Sequence, residues 1–333
     1  MKKVNWGVLS TAKIGREKVI PAMQKGRWSH IAAIASRSLA SAQTVATEIG
    51  IATAYGSYEE LLADPEIEAI YNPLPNDQHV AWTLAAARAG KHVLCEKPFS
   101  MNAHEAEQLR EVVCKVHIME AFMVRFHPQW LRARELVRSG ALGDLRTVQV
   151  FFSYFNRQSD NIRNRPEVGG GALYDIGCYA IVAGRFLFES EPLRVMALFD
   201  RDPEFKTDRT VTAVADFGEG RRLDFTVSTQ STPYQRVQAV GTKQRLELVI
   251  PFNAPLGGTT DLLLDDGSLP GATAAVRETL PACDMYTLQG DAFSQAVRDE
   301  IALPYGLDDA LRNMRIIDAM FRSGQSSQWE PVV

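Results

Sequence analysis

Between residue 4 and about residue 120 the chain alternates short apolar runs with helical patterns, and this alternation limits the fold more than any other feature. The runs are Val4–Leu9, 30–35, 68–72, His92–Cys95 and 116–120, each long enough for a buried strand and too short for a helix. Repeated strand-helix units of this kind predict an α/β fold with a doubly wound parallel sheet covered by helices on both faces. Local punctuation agrees. Ser57 and Glu60 have the spacing of a capping box that opens a helix through Leu62. Gly90 follows the helical pattern 77–89 as a C-cap would, and 103–113 predicts one more helix before the last strand. Ligands of open α/β sheets bind at the carboxyl edge of the strands, so the residues just after each run are the first candidates for a site.

After the first strand the chain reads Ser10-Thr11-Ala12-Lys13-Ile14-Gly15 and becomes helical. A dinucleotide fingerprint, G-x-G-x-x-G, would place glycines at 10, 12 and 15, and only Gly15 is present. Serine and alanine are the smallest replacements, and backbone N–H groups at a helix start still hold phosphate. Ser10, Thr11, Ala12, Ile14 and Gly15 are therefore candidate dinucleotide contacts. The second strand ends in Ser36-Arg37-Ser38. An acidic residue there would take the ribose 2′-hydroxyl of NAD, whereas an arginine answers a 2′-phosphate; the next acid, Glu48, lies too far along the following helix. Ser36 and Arg37 thus point to NADP in preference to NAD. The third edge is Pro73-Leu74-Pro75-Asn76, rigid enough to form a wall for nicotinamide and ribose. His79, on the helix beyond it, is either a further cofactor contact or an ordinary structural histidine. The last edge is Glu96-Lys97-Pro98, where charge directly follows a buried strand. Pro98 fixes its own φ and biases Lys97 towards an extended backbone, which aims the ammonium. A lysine in a partly desolvated cleft suits acid-base work beside a hydroxyl or carbonyl. Glu96 either anchors Lys97 or touches the nicotinamide ribose.

From Leu145 onward the period becomes two, over 147–155, 193–199, 210–217, 222–229, 236–240 and 245–250. This predicts a C-terminal α+β domain with a large, mainly antiparallel open sheet. The expected division is 1–122 for the dinucleotide domain and 123–333 for substrate binding and oligomerisation, with the final helices packing back on the first domain. An open sheet with an uncovered apolar face implies a homodimer or higher homo-oligomer. Between the first two of these strands a polar, glycine-rich loop, 160–171, enters a helical stretch carrying Asp175 and Tyr179. Positions i and i+4 share a helix face, so the carboxylate and the phenol project together. A nearby lysine cation would help the phenol to act as an acid; the plainer alternative is an amphipathic pair at the edge of the core.

Composition narrows the partners. A net charge of −4 offers no basic surface for nucleic acid or an anionic membrane, which leaves a small-molecule substrate. The four cysteines, Cys95, Cys114, Cys178 and Cys283, have neither zinc-ligand nor disulfide-framework spacing. No metal is expected, and apolar neighbours suggest buried, reduced thiols in a cytoplasmic protein. The N-terminal strand is interrupted by Ser10, Thr11 and Lys13 and lacks a signal peptide's apolar core, and no segment is expected to reach the ~20 apolar residues of a membrane span.

Taken together, these residues resemble the family of glucose-fructose oxidoreductase, inositol dehydrogenase and their relatives (Gfo/Idh/MocA) over essentially the whole chain. Its Rossmann domain ends in E-K-P, matched by Glu96, Lys97 and Pro98, and a helix of its second domain carries an aspartate, a glycine and a histidine or, in some branches, a tyrosine. Asp175-Ile176-Gly177-Cys178-Tyr179 looks like the tyrosine branch, and 120–128 and 163–179 are similar to dimeric dihydrodiol dehydrogenases and NADP-dependent D-xylose dehydrogenases. The resemblance implies hydride transfer between NADP and a hydroxyl-bearing carbon of an aldose, cyclic polyol or trans-diol. Lys97 and Tyr179 would flank the reacting oxygen, Tyr179 as proton carrier and Lys97 as the group that lowers its pKa. Asp175 would hold a neighbouring hydroxyl. Arg125, Phe126, Asn161 and Arg163 are implied wall or clamp residues, and Tyr286, Gln289 and Phe293 look like the family's closing helix. Two alternatives stay open: a keto-sugar reductase of the same family, and a non-catalytic NADP-binding sensor.

Overall fold

Short runs rich in valine, isoleucine and alanine, buried on both faces, form the first sheet, as their β-branched and small side chains favour. In the computed structural model, which describes residues 2–333, the strands are β1 (Val4–Leu9), β2 (Ser29–Ala35), β3 (Thr53–Tyr55), β4 (Ala69–Asn72), β5 (His92–Cys95) and β6 (Ile118–Glu120). They pair in parallel in the order β3-β2-β1-β4-β5-β6. The order reverses at β1, so the carboxyl ends of β1 and β4 flank the switch point at which doubly wound sheets bind ligands. The compact unit built on this sheet runs to Met123 and takes in Asp284–Leu311 as well. Within it the helix Met285–Val297 is anchored by Trp6, whose indole N–H donates to Ser294 Oγ at 3.1 Å and whose ring tilts against Phe293 at 5.3 Å. Arg298 closes the segment with two bonds, of 2.8 and 2.6 Å, to the Glu68 carboxylate.

Two details differ from the sequence reading. The helix expected across 103–113 is α-helical only over Ala103–Glu107 and tightens into a 3-10 turn at Gln108–Glu111. The tighter turn carries both Leu109 and Val112 into the core and delays the last strand to Ile118. Cys114 lies on the turn that follows and is exposed, not buried; Cys95 and Cys178 are buried, and Cys283 is half-buried.

The second unit, Val124–Cys283 with Arg312–Val333, is built on a nine-stranded sheet. Its strands are β7 (Leu145–Phe155), β8 (Arg194–Arg201), β9 (Asp208–Asp216), β10 (Arg222–Ser228), β11 (Gln230–Gly241), β12 (Arg245–Leu248), β13 (Thr260–Asp265), β14 (Val276–Leu280) and β15 (Glu330–Pro331). Every pairing is antiparallel except β7 with β10. Val148, Val150 and Phe152 alternate inward along β7, while Phe151 turns out and is 38% exposed. Behind the inner face lies the helix Cys178–Phe188, every residue of which is buried. By length and composition the stretch Pro166–Phe188 passes for a membrane span, contrary to the sequence reading, yet 89% of its apolar window is buried inside the protein, as for a core helix.

Two histidines stand in these folds as backbone acceptors. His92 Nδ1 accepts the His117 N–H at 3.0 Å, and His127 Nδ1 accepts the Gln129 N–H at 3.1 Å, capping the helix Pro128–Arg138. Burial, joined at His92 by repulsion from His117, pulls both imidazoles down to about 4. The folded value lies below the ordinary value near 6.5, so below that pH the unfolded chain binds protons that the folded chain refuses. Stability should therefore be flat above pH ~6.5 and fall as the pH drops towards ~4, His127 contributing about 1–2 kcal/mol of the loss. Urea unfolding at pH 7 and pH 5 tests this: His127→Asn keeps a capping acceptor that does not titrate and should flatten the dependence, and an unchanged dependence would contradict it.

Candidate active site

At the end of β1, Ser10 occupies the left-handed region (φ 71°), the conformation glycine adopts at this place in the fingerprint. Its Oγ accepts the Ala12 N–H at 3.2 Å, a local turn bond that offsets part of the strain. The first helical bond, Arg16 N–H to Ala12 carbonyl at 3.0 Å, follows at once, so the N–H groups before it have no acceptor within the helix. The helix opens as a π-helical turn over Gly15–Val19. A Cβ on Gly15 would touch Tyr71 Cε1 at 3.4 Å and Pro73 Cγ at 3.8 Å, which shows how directly the helix start rests on the end of β4. Thr11 and Ala12 are half-buried and Ile14 is 36% exposed. At the end of β2, Ser36 is half-buried and Arg37 exposed; among the described residues Arg37 makes no ion pair, while Ser38 caps the next helix by accepting the Ser41 N–H. Left-handed backbone at 10, an open helix start and an available guanidinium at 37 all fit a phosphorylated dinucleotide.

The β4 and β5 edges are tied together from behind. His79 is fully buried, with Nδ1 2.8 Å from the Pro98 carbonyl and Nε2 2.7 Å from the Leu74 carbonyl. Burial, and secondarily the Lys97 charge, hold its imidazole down to about 4 against the pull of the two carbonyls. His79 stands here as a structural histidine between the loop after β4 and the loop after β5. Pro73 and Leu74 are themselves buried, Leu74 by a bond from its N–H to Asn72 Oδ1 at 3.3 Å, and Asn76 is half-buried. The Lys97–Pro98 peptide bond is cis. Glu96 accepts the Tyr71 hydroxyl at 2.8 Å through Oε1 and the Lys97 backbone N–H at 3.4 Å through Oε2. The tyrosine, buried and pushed above its ordinary pKa by burial and then by Glu96, remains a donor. Glu96 is thus anchored by a residue the sequence reading passed over. Lys97 itself is half-buried.

In the second unit the helix bearing Asp175 begins as a π-helical turn, Leu173–Gly177, before becoming α-helical at Cys178. Such turns concentrate at functional sites. Asp175 Oδ2 accepts the Tyr154 hydroxyl at 2.6 Å and the Arg163 Nε–H at 3.0 Å, with its side chain 13% exposed. Asp175 raises the Arg163 pKa above the ordinary guanidinium range, while burial and then Asp175 raise that of Tyr154. Within its own unit Asp175 is thus ion-paired with Arg163. Arg163 also interacts electrostatically with Tyr179. Asn161 accepts the Arg163 N–H at 3.1 Å and caps the turn Ile162–Asn164, so it shapes the loop that presents the arginine. Tyr179 is 7% exposed and packs against Phe152 at 6.1 Å and Phe252 at 5.6 Å. Arg125 is buried and Phe126 half-buried on the turn Met123–Phe126. Tyr154 and Phe252 escaped the sequence reading, although Tyr154 lies two residues beyond Phe152 on β7 and shares its face by strand alternation.

Residues 4–124 match the oxidoreductase family with an NAD-binding Rossmann fold, and residues 130–247 match the GFO/IDH/MocA C-terminal domain. An oxidoreductase of Rhizobium meliloti is 43% identical over 100% of both chains, and a D-xylose 1-dehydrogenase (NADP(+)) of Haloferax volcanii is 40% identical over 96% of this chain and 97% of its own. The crystal structure of a 3-ketoreductase from Actinomadura kijaniata, in complex with NADP and TDP-benzene, superposes with a TM-score of 0.89 at 27% identity, covering 97% of this chain and 98% of that one. The chain belongs to the Gfo/Idh/MocA family of oxidoreductases.

Holding a serine in left-handed backbone costs about 1 kcal/mol, recovered in part by its bond to Ala12. Ser10→Ala loses the bond and keeps the strain, whereas Ser10→Gly loses both. The glycine variant should be the more stable of the two by about 1 kcal/mol in urea unfolding; equal stabilities would argue against a left-handed residue 10.

Proposed function

We propose that the chain is an NADP-dependent dehydrogenase that moves hydride at a hydroxyl-bearing carbon of an aldose, cyclic polyol or trans-diol. The observation that carries this reading is the Asp175 carboxylate, fixed by Tyr154 and Arg163 beside Tyr179. A carboxylate whose orientation is fixed by a phenol and a guanidinium is suited to orienting a sugar hydroxyl. Tyr179 offers a phenol whose anion would meet the Arg163 cation within its own unit, a suitable carrier for the hydroxyl proton. Lys97 supplies a second mobile proton and a cation at the carboxyl edge of the first sheet. Ser10, Thr11, Ala12, Ile14 and Gly15 would hold the pyrophosphate, and Ser36 and Arg37 the 2′-phosphate. When bound, NADP supplies the hydride-accepting nicotinamide. The likeness to an NADP(+)-dependent D-xylose dehydrogenase and to a ketoreductase crystallised with NADP supports this choice. The same residues serve reduction of a keto-sugar, which the likeness to the 3-ketoreductase supports as a second reading. The outer face of the second sheet, where Tyr234 is 50% and Leu198 65% exposed, is the surface proposed to pair with a second copy. Free cysteines and an acidic balance suit a cytoplasmic enzyme with a small-molecule substrate and neither nucleic-acid nor membrane partners.

Initial rates with NADP+ and NAD+ over aldoses, inositols and trans-diols test the reading. Lys97→Met and Tyr179→Phe should each lower kcat by about 100-fold or more, and Arg37→Ala should remove a preference for NADP+ of about tenfold or more. Full activity of both site variants would refute the proposed roles, and an NAD+ preference in the unaltered protein would refute that of Arg37.

A further inference from the structure

The helix that carries Asp175 and Tyr179 starts against a residue from a distant strand. Asp208, the first residue of β9, is 2% exposed, and its Oδ2 accepts the Leu173 N–H at 2.7 Å; the Ala172 N–H also bonds it. These are donors that a helix leaves without an internal acceptor at its start. Gly171, immediately before, has φ 120°, and a Cβ there would collide with the Asp208 carboxylate. Gly171 faces both ways along the chain: its N–H donates to the Arg163 carbonyl at 2.9 Å, and its carbonyl accepts the Asp175 N–H at 3.0 Å. At Gly170 a Cβ would meet the carbonyls of Ile162, Arg163 and Arg165 at 2.6–2.7 Å. The loop that delivers Arg163 and the helix that delivers Asp175 therefore meet in a glycine pair seated on a single carboxylate.

Asp208 is an expensive residue to place there. Among the described residues it forms no ion pair, and the Arg201 guanidinium, on β8, acts on it electrostatically from further away. Burial raises its carboxyl to about 6 despite the N–H groups it accepts. A buried carboxylate without a paired cation lowers stability, and such departures cluster where geometry serves function.

We propose that Asp208 is a positioning residue for the reaction: by holding the start of the helix at Leu173 and the backbone at Gly171, it sets the register in which Arg163, Asp175 and Tyr179 meet. The inference rests on the reading that Asp175 and Tyr179 handle the substrate. It does not place Asp208 in contact with substrate or cofactor.

The test compares Asp208→Ala, Asp208→Asn, Gly171→Ala and Tyr179→Phe with the unaltered protein, using D-xylose or whichever sugar is turned over fastest. kcat is normalised to the NADP+-binding protein present, titrated through the quenching of protein fluorescence by NADP+. Asp208→Ala should raise KM for the sugar and lower kcat, so that kcat/KM falls about 10- to 100-fold, with Kd for NADP+ within about twofold. Gly171→Ala, which pushes on the same carboxylate, should move in the same direction. Asp208→Asn, which retains the shape and one acceptor oxygen, should recover most of the loss. A simple loss of folded protein lowers the amount that binds NADP+ and leaves KM unchanged, and that pattern would overturn the proposal. So would a normal kcat/KM in Asp208→Ala while Tyr179→Phe is impaired. If Tyr179→Phe is also fully active, the functional reading itself falls, and this inference with it.

Discussion

A carboxylate that is only 13% exposed must be paired or it becomes costly, and in the second unit that requirement organises the packing around Asp175. Asp175 meets it with a phenol from β7 and a guanidinium from the 160–171 loop, so three separate segments converge on one oxygen. The arginine is presented by a turn that Asn161 caps, and the loop re-enters the helix through two glycines whose neighbours leave no room for a side chain. Because charged hydrogen bonds are short and directional, the pairing fixes the orientation of Asp175 as well as its charge. Tyr179, one turn on, inherits that placement and is braced by Phe152 and Phe252.

The first unit solves a different problem, that of approaching a polyphosphate with few glycines. The fingerprint glycine at 10 is absent, but its backbone conformation is not: Ser10 takes it up and bonds the Ala12 N–H in return. Behind the edge, His79 spans two carbonyls from neighbouring loops, and Tyr71 holds Glu96, so the residues around Lys97 rest on buried partners instead of solvent. The two folds are matched separately by the family's models, over residues 4–124 and 130–247.

Much of this was legible in the sequence. The parallel sheet followed from alternating apolar runs, and the edge residues followed from the sheet, because burial on both faces leaves charge nowhere to emerge but the strand ends. The period-two runs of the second half gave the open sheet, although β13, β14 and the two-residue β15 stayed hidden; β14 is largely exposed, so its side chains carry no inward pattern. The helix Cys178–Phe188 had no amphipathic stripe to read because it is buried all round. Partners across long separations were the least legible. Tyr154 bonds Asp175 from 21 positions away, Asp208 caps Leu173 from 35, and Tyr71 holds Glu96 from 25, and no local spacing encodes such meetings. Of the two readings left open for His79, the ring's place between two backbone carbonyls favours the structural one, and neither carbonyl is encoded by local spacing.

The most direct measurement of the account is a double-mutant cycle on kcat/KM with Tyr154→Phe, Asp175→Asn and the pair together. If Tyr154 acts by holding the Asp175 carboxylate, removing its hydroxyl should matter in the unaltered protein and cost little once Asp175 is asparagine. Losses that multiply independently would show that Tyr154 and Asp175 serve the reaction separately, and the organising role given to this carboxylate would be wrong.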